Sequence, residues 1–329
     1  MLGRRFEAEI REQPSVWRRI AASDAALRLA EAVRGRALLF VGSGSSLFAG
    51  MLGALAYRRR GIHARALAAT EARFDHAADR DACIVALSQS GRSTDVLEAL
   101  DVLAPARVVA LTNDTASPLA ARAAVVVDCL AGPETAVPAS KSVTSTAAIL
   151  LWAAALTGGA THRSAATLEA TASDVEAWLQ RDAAEMEAVA SQLAHVRTVA
   201  VVGAGYGVPL AFEIALKIKE ASYVHAEGFA AGEFRHGSSA MLDASSAILG
   251  IVDATSRTIV DRPLASAAVA KAARYVIGEP SGSISTLGPQ TGDAFNTLAW
   301  LVTGQYLALA LGRARGVDSD APRGLHKFV

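Results

Sequence analysis

Cysteine is nearly missing from this chain of 329 residues: only Cys83 and Cys129 occur. Two thiols in apolar runs make neither a disulfide framework nor the paired spacing of a zinc site, so a reducing, cytoplasmic setting without metal is expected. Charge is scarce as well. Charged residues make up 19% of the chain, against about a quarter in ordinary domains, which hints that some surface is covered by another subunit. Lys plus Arg and Asp plus Glu balance at 32 each, leaving no electrostatic case for nucleic acid or an anionic membrane surface. No uninterrupted apolar span occurs either. The stretches Ser142–Thr161 and Ala294–Gly312 carry no charge, but Ser, Thr, Asn, Gln and Gly interrupt them, as in buried helices. The first ten residues carry charges where a signal peptide needs its apolar core. Nucleotide fingerprints are absent too. Gly42-Ser-Gly-Ser-Ser-Leu47 has leucine where a third glycine belongs, Gly203-Ala-Gly-Tyr-Gly-Val208 misses the spacing, and no Gly-Lys-Ser/Thr loop occurs.

What the chain has in quantity is apolar material, 52% of its residues. That suffices for a sizeable core, and the length points to two domains. Short continuous apolar runs, the mark of buried parallel strands, occur at Ala37–Val41, Cys83–Leu87, Arg107–Thr112 and Ala124–Asp128, with Ala64–Ala68 as a further strand. Helical stretches lie between them, and Ser117-Pro118-Leu119 opens a short one. Gln13-Pro14 is expected to break a first lead-in helix, and Ser23-Asp24 to cap the next. After Gly158-Gly159 and two helices (Ser164–Leu179 and Ala183–Leu193) the pattern restarts. Thr198–Val202 leads into Gly203–Gly207 as Ala37–Val41 leads into Gly42–Ser46, Ala247–Val252 answers Cys83–Leu87, and Ile284–Leu287 and a closing helix Asn296–Leu311 follow. Strands alternating with helices mean a parallel α/β sheet, and the restart means duplication of one unit. The expected division is lead-in helices over 1–36, one sheet domain over 37–160, linking helices over 161–194, a second sheet domain over 195–312 and a tail over 313–329.

Three places could carry chemistry. Glu213, Lys217 and Glu220 share one helix face, between Leu210, Ile214 and Ile218 on one side and Phe212 and Leu216 on the other. Ionisable groups between two apolar flanks are held in a partly buried cleft, either as a structural ion-pair ladder or as working groups. The loops Gly44-Ser45-Ser46 and Ser88-Gln89-Ser90-Gly91, with Ser93 and Thr94 beyond, each follow a strand and open a helix. They fit a small phosphate at helix N-termini, and equally fit plain helix caps. His236 is a general acid/base candidate or a structural histidine, and His225, two residues past Tyr223, is as readily a packed histidine as a working one. The tail Asp318–Val329, polar but ending Leu-His-Lys327-Phe-Val, is either disordered or docked.

In order, Gly42–Ser46, Ser88-Gln-Ser-Gly91, Glu134–Lys141, Glu213–Glu220, Tyr223-Val-His-Ala-Glu227, Gly232-Glu-Phe-Arg-His-Gly237 and Pro322-Arg-Gly-Leu-His-Lys327 resemble the double sugar-isomerase (SIS) domain family over nearly the whole chain. The likeness is greatest to the isomerase half of glucosamine-6-phosphate synthase and to isomerising glucosamine-6-phosphate deaminases. It implies two tandem SIS domains of flavodoxin-like, three-layer αβα architecture. It implies sugar-phosphate binding by Ser45, Ser46, Ser88, Gln89, Ser90 and Ser93 or Thr94. Val137 and Ala139 fall at sugar contacts, with Ala139 where the family usually has serine. Glu220 matches the carboxylate that moves a proton between C1 and C2, and Lys217 lines the same face. His236 matches the ring-opening histidine given by the neighbouring subunit of a homodimer, and Lys327 the tail lysine that meets the open-chain carbonyl.

The chain opens at Met1 and enters the resembling region by Ala37, so no glutaminase domain to supply ammonia is expected. The reaction implied is therefore deamination of glucosamine 6-phosphate to fructose 6-phosphate and ammonia, with no cofactor. Action on a fructosamine 6-phosphate is the alternative. A non-catalytic sugar-phosphate sensor is the reading from another class.

Overall fold

The computed structural model describes residues 1–74, 82–159, 162–181, 183–292 and 294–327. In chain order the elements are α1 (Arg4–Ala21), α2 (Ala25–Ala32), β1 (Leu38–Gly42), α3 (Ser45–Arg58), β2 (Ala64–Ala68), β3 (Cys83–Ser88), α4 (Thr94–Leu103), β4 (Val108–Thr112), α5 (Pro118–Ala121), β5 (Val125–Asp128) and α6 (Lys141–Thr157). They continue with α7 (Ala165–Arg181), α8 (Ala183–Leu193), β6 (Thr198–Gly203), α9 (Gly207–Ser222), β7 (His225–Ala230), α10 (Ala231–Phe234), β8 (Ser246–Val252), α11 (Arg257–Val269), β9 (Ala273–Gly278), β10 (Ser285–Leu287) and α12 (Asn296–Ala314).

The strands form two five-stranded sheets, β2-β1-β3-β4-β5 and β10-β9-β8-β6-β7, parallel at every pairing. Renumbered within its own half, the second sheet has the same 2-1-3-4-5 order as the first, the flavodoxin-like order. The fold is thus α/β with one unit used twice. In the first sheet β1, β3 and β4 are buried along their whole length, which is why their sequences are unbroken apolar runs. Leu39, Val41, Ile84, Ala86 and Ala110 pack there with Val96, Leu100 and Leu103 of α4. In the second, Ala200, Val202, Ile248 and Val276 pack with Val260 and Leu264 of α11. By compactness, residues 13–134 and 141–172 form one unit, and residues 1–12, 135–140 and 173–327 the other. Residues 160 and 161, where the first sheet domain was expected to end, lie outside the described residues.

Two expectations need correction. Pro14 does not break α1, which runs through it. An interior proline costs about 3 kcal/mol, and anchors on either side of it offset that loss. Gln13 accepts from the Thr144 hydroxyl at 2.6 Å, Trp17 donates to the same oxygen at 3.2 Å, and both side chains are fully buried. The second half has two strands that no apolar run announced, β7 and β9. β7 is the edge strand, His225-Ala-Glu-Gly-Phe-Ala230, with alternating exposure in place of a continuous run. In β9 only Val276 and Ile277 stand between Tyr275 and the closing glycine. His225 is exposed on that edge, 3.4 Å from Glu227, and is not packed inside.

No helix among the described residues is long and apolar enough to cross a membrane. Asp24 does stand at the start of α2, without a side-chain cap bond, and the Ser23 hydroxyl accepts from the Ala25 amide at 3.3 Å. Ser117 caps α5 by accepting from the Ala120 amide at 3.3 Å.

Candidate active site

In the first sheet, β1 and β3 are adjacent, and their carboxyl ends feed the two hydroxyl-rich loops. Gly44 turns the chain with φ 55° into α3, so Ser45 and Ser46 lie in that helix's first turn, half-buried. Ser88 ends β3 and is buried; Gln89, Ser90 and Ser93 are half-buried, and Thr94 is exposed at the start of α4. Backbone bonds fix the second loop's shape. The Gln89 carbonyl accepts from the Asn113 amide at 3.0 Å and the Thr112 hydroxyl at 3.3 Å, and the Gly91 amide donates to the Ser88 hydroxyl at 3.1 Å. Gly91 has φ +62°, and a Cβ there would collide with the Ser117 side chain, so both conformation and space demand glycine.

Were these serines ordinary caps, their hydroxyls would be spent on the helix ends. Ser93 holds the N-cap position of α4 yet makes no side-chain cap bond. The arrangement offers two helix N-termini and several hydroxyl donors at neighbouring strand ends, suited to a small oxyanion.

The second unit carries the charged stripe on α9. Close packing holds this helix: a Cβ on Gly228 of β7 would stand 2.6 Å from the Phe212 backbone nitrogen. The Lys217 ammonium lies 2.6 Å from Glu220 Oε2 and 3.5 Å from Glu213 Oε1. Their side-chain exposures are 1% for Lys217, 2% for Glu213 and 18% for Glu220. The lysine is therefore a buried cation shared by two carboxylates, and only Glu220 reaches the surface. The division is physical: Glu213 and Lys217 are enclosed, and Glu220 is the member a ligand could touch.

The segment carrying Val137 and Ala139 is six residues of irregular chain, 135–140, grouped with this second unit while residues 134 and 141 on either side group with the first. It is held by its backbone. The buried Glu9 carboxylate accepts from the Thr135 amide and, at 3.1 Å, from the Ala136 amide, and Gln305 donates to the Ser140 carbonyl at 3.3 Å. Val137 and Ala139 are half-buried. At the segment's start, the Glu134 carboxylate accepts from the Ser142 amide at 3.0 Å and the Ser142 hydroxyl at 2.6 Å, capping α6.

His236 follows α10 and is exposed, its amide donating to the Glu233 carbonyl at 2.9 Å. Lys327 is half-buried at the end of the described tail; Phe328 and Val329 lie outside the described residues. The tail is docked on the end of α9. Tyr223, left-handed at φ 58°, closes that helix; its hydroxyl accepts from the Arg323 amide at 2.6 Å, and the Arg323 guanidinium lies 4.2 Å from its ring centroid.

The structure thus brings Ser45, Ser46, Ser88, Gln89, Ser90, Ser93 and Thr94 to neighbouring strand ends of the first sheet, pairs Lys217 with Glu220, and seats Val137 and Ala139 on a clamped segment. It leaves His236 on the surface. Glu9 and Gln305 escaped the sequence reading, which held Tyr223 only as the first residue of a motif and not as an anchor for the tail. Glu9 and Gln305 act across more than a hundred residues, and no local pattern announces them.

The SIS domain model matches residues 34–156 and 192–286. A glutamine–fructose-6-phosphate aminotransferase of Aeropyrum pernix is 33% identical over 350 aligned positions, covering 98% of this chain and 56% of that protein. The chain spans a little over half the length of this relative. Among solved structures, the C-terminal domain of glucosamine-fructose-6-phosphate aminotransferase from Francisella tularensis superposes with a TM-score of 0.84 at 22% identity, covering 97% of this chain and 98% of that one. Glucosamine-6-phosphate deaminase from Thermotoga maritima superposes with a TM-score of 0.80 at 21% identity, covering 98% of both chains.

Proposed function

The chain belongs to the SIS domain family, and from that premise we propose that it is a phosphosugar aldose–ketose isomerase that deaminates glucosamine 6-phosphate to fructose 6-phosphate. The observation that carries the reading is the Glu220 carboxylate, surface-reaching and 2.6 Å from a buried ammonium. Burying a charged triad is costly unless the groups are paired or used, and a carboxylate fixed in this way is suited to take a proton from carbon and return it one atom away. The glutamine–fructose-6-phosphate aminotransferase relatives, and the deaminase of the same fold, support an amino-sugar 6-phosphate as substrate.

In this reading Ser45, Ser46, Ser88, Gln89, Ser90 and Ser93 or Thr94 hold the phosphate with hydroxyls and helix amides. Val137 and Ala139 bound the sugar. His236, supplied by a second copy of the chain, opens the ring, which accounts for its exposure here. Glu220 moves the C2 proton to C1, turning the 2-amino aldose into the 2-imino ketose. Water then hydrolyses the imine, giving fructose 6-phosphate and ammonia. Lys217 fixes and electrostatically supports Glu220, Glu213 holds Lys217, and Lys327 attends the open-chain carbonyl.

The test is a panel of amino-sugar 6-phosphates and fructosamine 6-phosphates incubated with pure protein, reading ammonia or amine release and fructose 6-phosphate. Turnover of glucosamine 6-phosphate, abolished by Glu220→Gln, is expected. Release from fructosamine phosphates alone changes the substrate assignment, and no turnover anywhere in the panel overturns the enzyme reading.

A further inference from the structure

The tail that carries Lys327 has a second attachment, at the opposite end of the chain. The Asp320 carboxylate accepts from two first-turn amides of α1, Arg5 at 2.8 Å and Phe6 at 2.9 Å. Asp318 accepts from the Gly3 amide at 2.9 Å and from the Asp320 amide at 3.1 Å. The Arg5 guanidinium returns the contact to the Asp320 carbonyl at 3.0 Å, and Arg313 donates to the Leu2 carbonyl at 3.0 Å. The first turn of a helix has amides without intrahelical partners and the positive end of the dipole. Here the Asp320 carboxylate satisfies two of them, and Asp318 takes the amide of Gly3 just before the helix. The approach is close: Gly3 has φ +64°, and a Cβ on it would collide with the side chain of Ser319, which is buried between the two aspartates.

We propose that the start of α1 is the mooring of the C-terminal tail, and that Asp320 is a positioning residue that sets where Lys327 stands. Three residues after Asp320 comes Arg323, pinned to Tyr223 at the end of α9. The tail is thus fixed at two points, α1 and α9, just before the segment ending in Lys327. Glu220 lies one helical turn before Tyr223. The mooring therefore sets the tail lysine relative to the helix that carries the carboxylate. The inference rests on the function proposed above only for the role of Lys327; the mooring itself is independent of it.

Amide hydrogen exchange on the 329-residue chain reads the mooring directly. In Asp320→Ala the Arg5, Phe6 and Arg323 amides are expected to exchange faster than in the native chain, with Asp320→Asn, which keeps one acceptor oxygen, in between. Unchanged exchange overturns the proposal. Kinetics reads its consequence. Misplacing a reacting group by about an ångström costs on the order of a hundredfold, so Asp320→Ala is expected to lower kcat at least about tenfold. Affinity for inorganic phosphate should stay within about twofold.

A residue that acts only through Lys327 adds no further loss in a Lys327→Ala background, whereas an independent structural role multiplies. Full multiplication, or an unchanged kcat in Asp320→Ala, overturns the positioning role. If the native chain turns over none of the panel, it is the functional reading that fails, and the exchange experiment still decides the mooring.

Discussion

Replacing Lys217 by methionine isolates the charge from the volume of the most enclosed group on α9. Methionine has nearly the length and bulk of lysine, so no large cavity opens. What disappears is an ammonium 2.6 Å from Glu220 and 3.5 Å from Glu213. Glu213 is then left with a 2% exposed carboxylate that has lost this cation. Removing one partner of a buried ion pair costs about 3–5 kcal/mol, against about 5–15 kcal/mol for the whole of a typical domain. Lys217→Met is expected to lose an increment of that size, read as a lower urea midpoint by tryptophan fluorescence. Adding Glu213→Gln removes the enclosed carboxylate charge that this ammonium faced and is expected to recover part of the loss. If the chain deaminates as proposed, ammonia release should stay lost in both variants, because Glu220 still lacks its cation. An unchanged midpoint in Lys217→Met, or no recovery with Glu213→Gln, refutes the view that Lys217 is held by a burial-sensitive charge balance.

Three further outcomes follow from other parts of the molecule. Tyr57 packs against Phe40, and its buried hydroxyl has no hydrogen-bond partner among the described residues. Tyr57→Phe is therefore expected to be neutral or stabilising by up to about 1 kcal/mol in thermal unfolding, and a loss larger than that refutes the assignment. Burial pushes the Glu7 carboxyl up, but the hydrogen bonds and charges of Arg313 and Arg11 outweigh it and hold it below its ordinary 4.5. A lowered folded value contributes stability above the unfolded value and loses it as pH falls through the folded one. The Tm gap between native chain and Glu7→Gln should then be widest at neutral pH and close below pH 4.5; a gap that widens in acid contradicts this. Finally, if His236 serves the neighbouring subunit, Glu220→Gln and His236→Ala chains mixed and reassembled should regain about a quarter of native activity, since half the dimers are mixed and each has one intact site. Two inactive partners that stay inactive together exclude the shared site.

Continuous burial made the inner strands the plainest to read, although the edge strands β2, β5 and β10 were also expected and the inner strand β9 was not. β1, β3, β4, β6 and β8 lie inside their sheets, so their residues read as apolar runs. β7, on an edge, alternates exposed His225 and Glu227 with smaller residues and looks like loop. Pro14 misled for the opposite reason: its local cost is real, but the Thr144 contacts that offset it come from a helix 131 residues away. The same holds at the site. The Glu213–Lys217–Glu220 stripe was readable because helical spacing alone puts the three groups together. The Glu9 clamp on Thr135 and Ala136, 126 and 127 residues away in sequence, has no periodicity behind it. Exposure divided the stripe into scaffold and surface-reaching carboxylate, and spacing could not supply that.

Duplication makes a sharper comparison possible, because each half has the same loop in the same place. After β3 comes Ser88-Gln-Ser-Gly91; after β8, its counterpart in the second sheet, comes Asp253-Ala-Thr-Ser256. There the Asp253 carboxylate accepts from the Thr255 amide at 2.8 Å, the Ser256 amide at 2.7 Å and the Thr255 hydroxyl at 2.7 Å. An anion built into the chain thus occupies the donors that a bound phosphate would use, and adds like-charge repulsion. In the first sheet the Ser88 and Ser90 hydroxyls accept from the Gly91 and Arg92 amides at 3.1 and 3.2 Å, and among the described residues no carboxylate takes the loop's own amides as Asp253 does; Asp95 stands in the first turn of α4 and accepts from Ser43 at 3.5 Å. The other loop of the second half, Gly203-Ala-Gly-Tyr-Gly207, offers no serine or threonine. One phosphate per chain is therefore expected, although the fold repeats twice. Titration calorimetry with inorganic phosphate should give a stoichiometry of one, lost in Ser88→Ala/Ser90→Ala and kept in Asp253→Asn. Two equivalent sites in the native chain, or loss of the single site in Asp253→Asn, refutes the argument that the second copy has given up its anion loop and kept its helix for the charged groups.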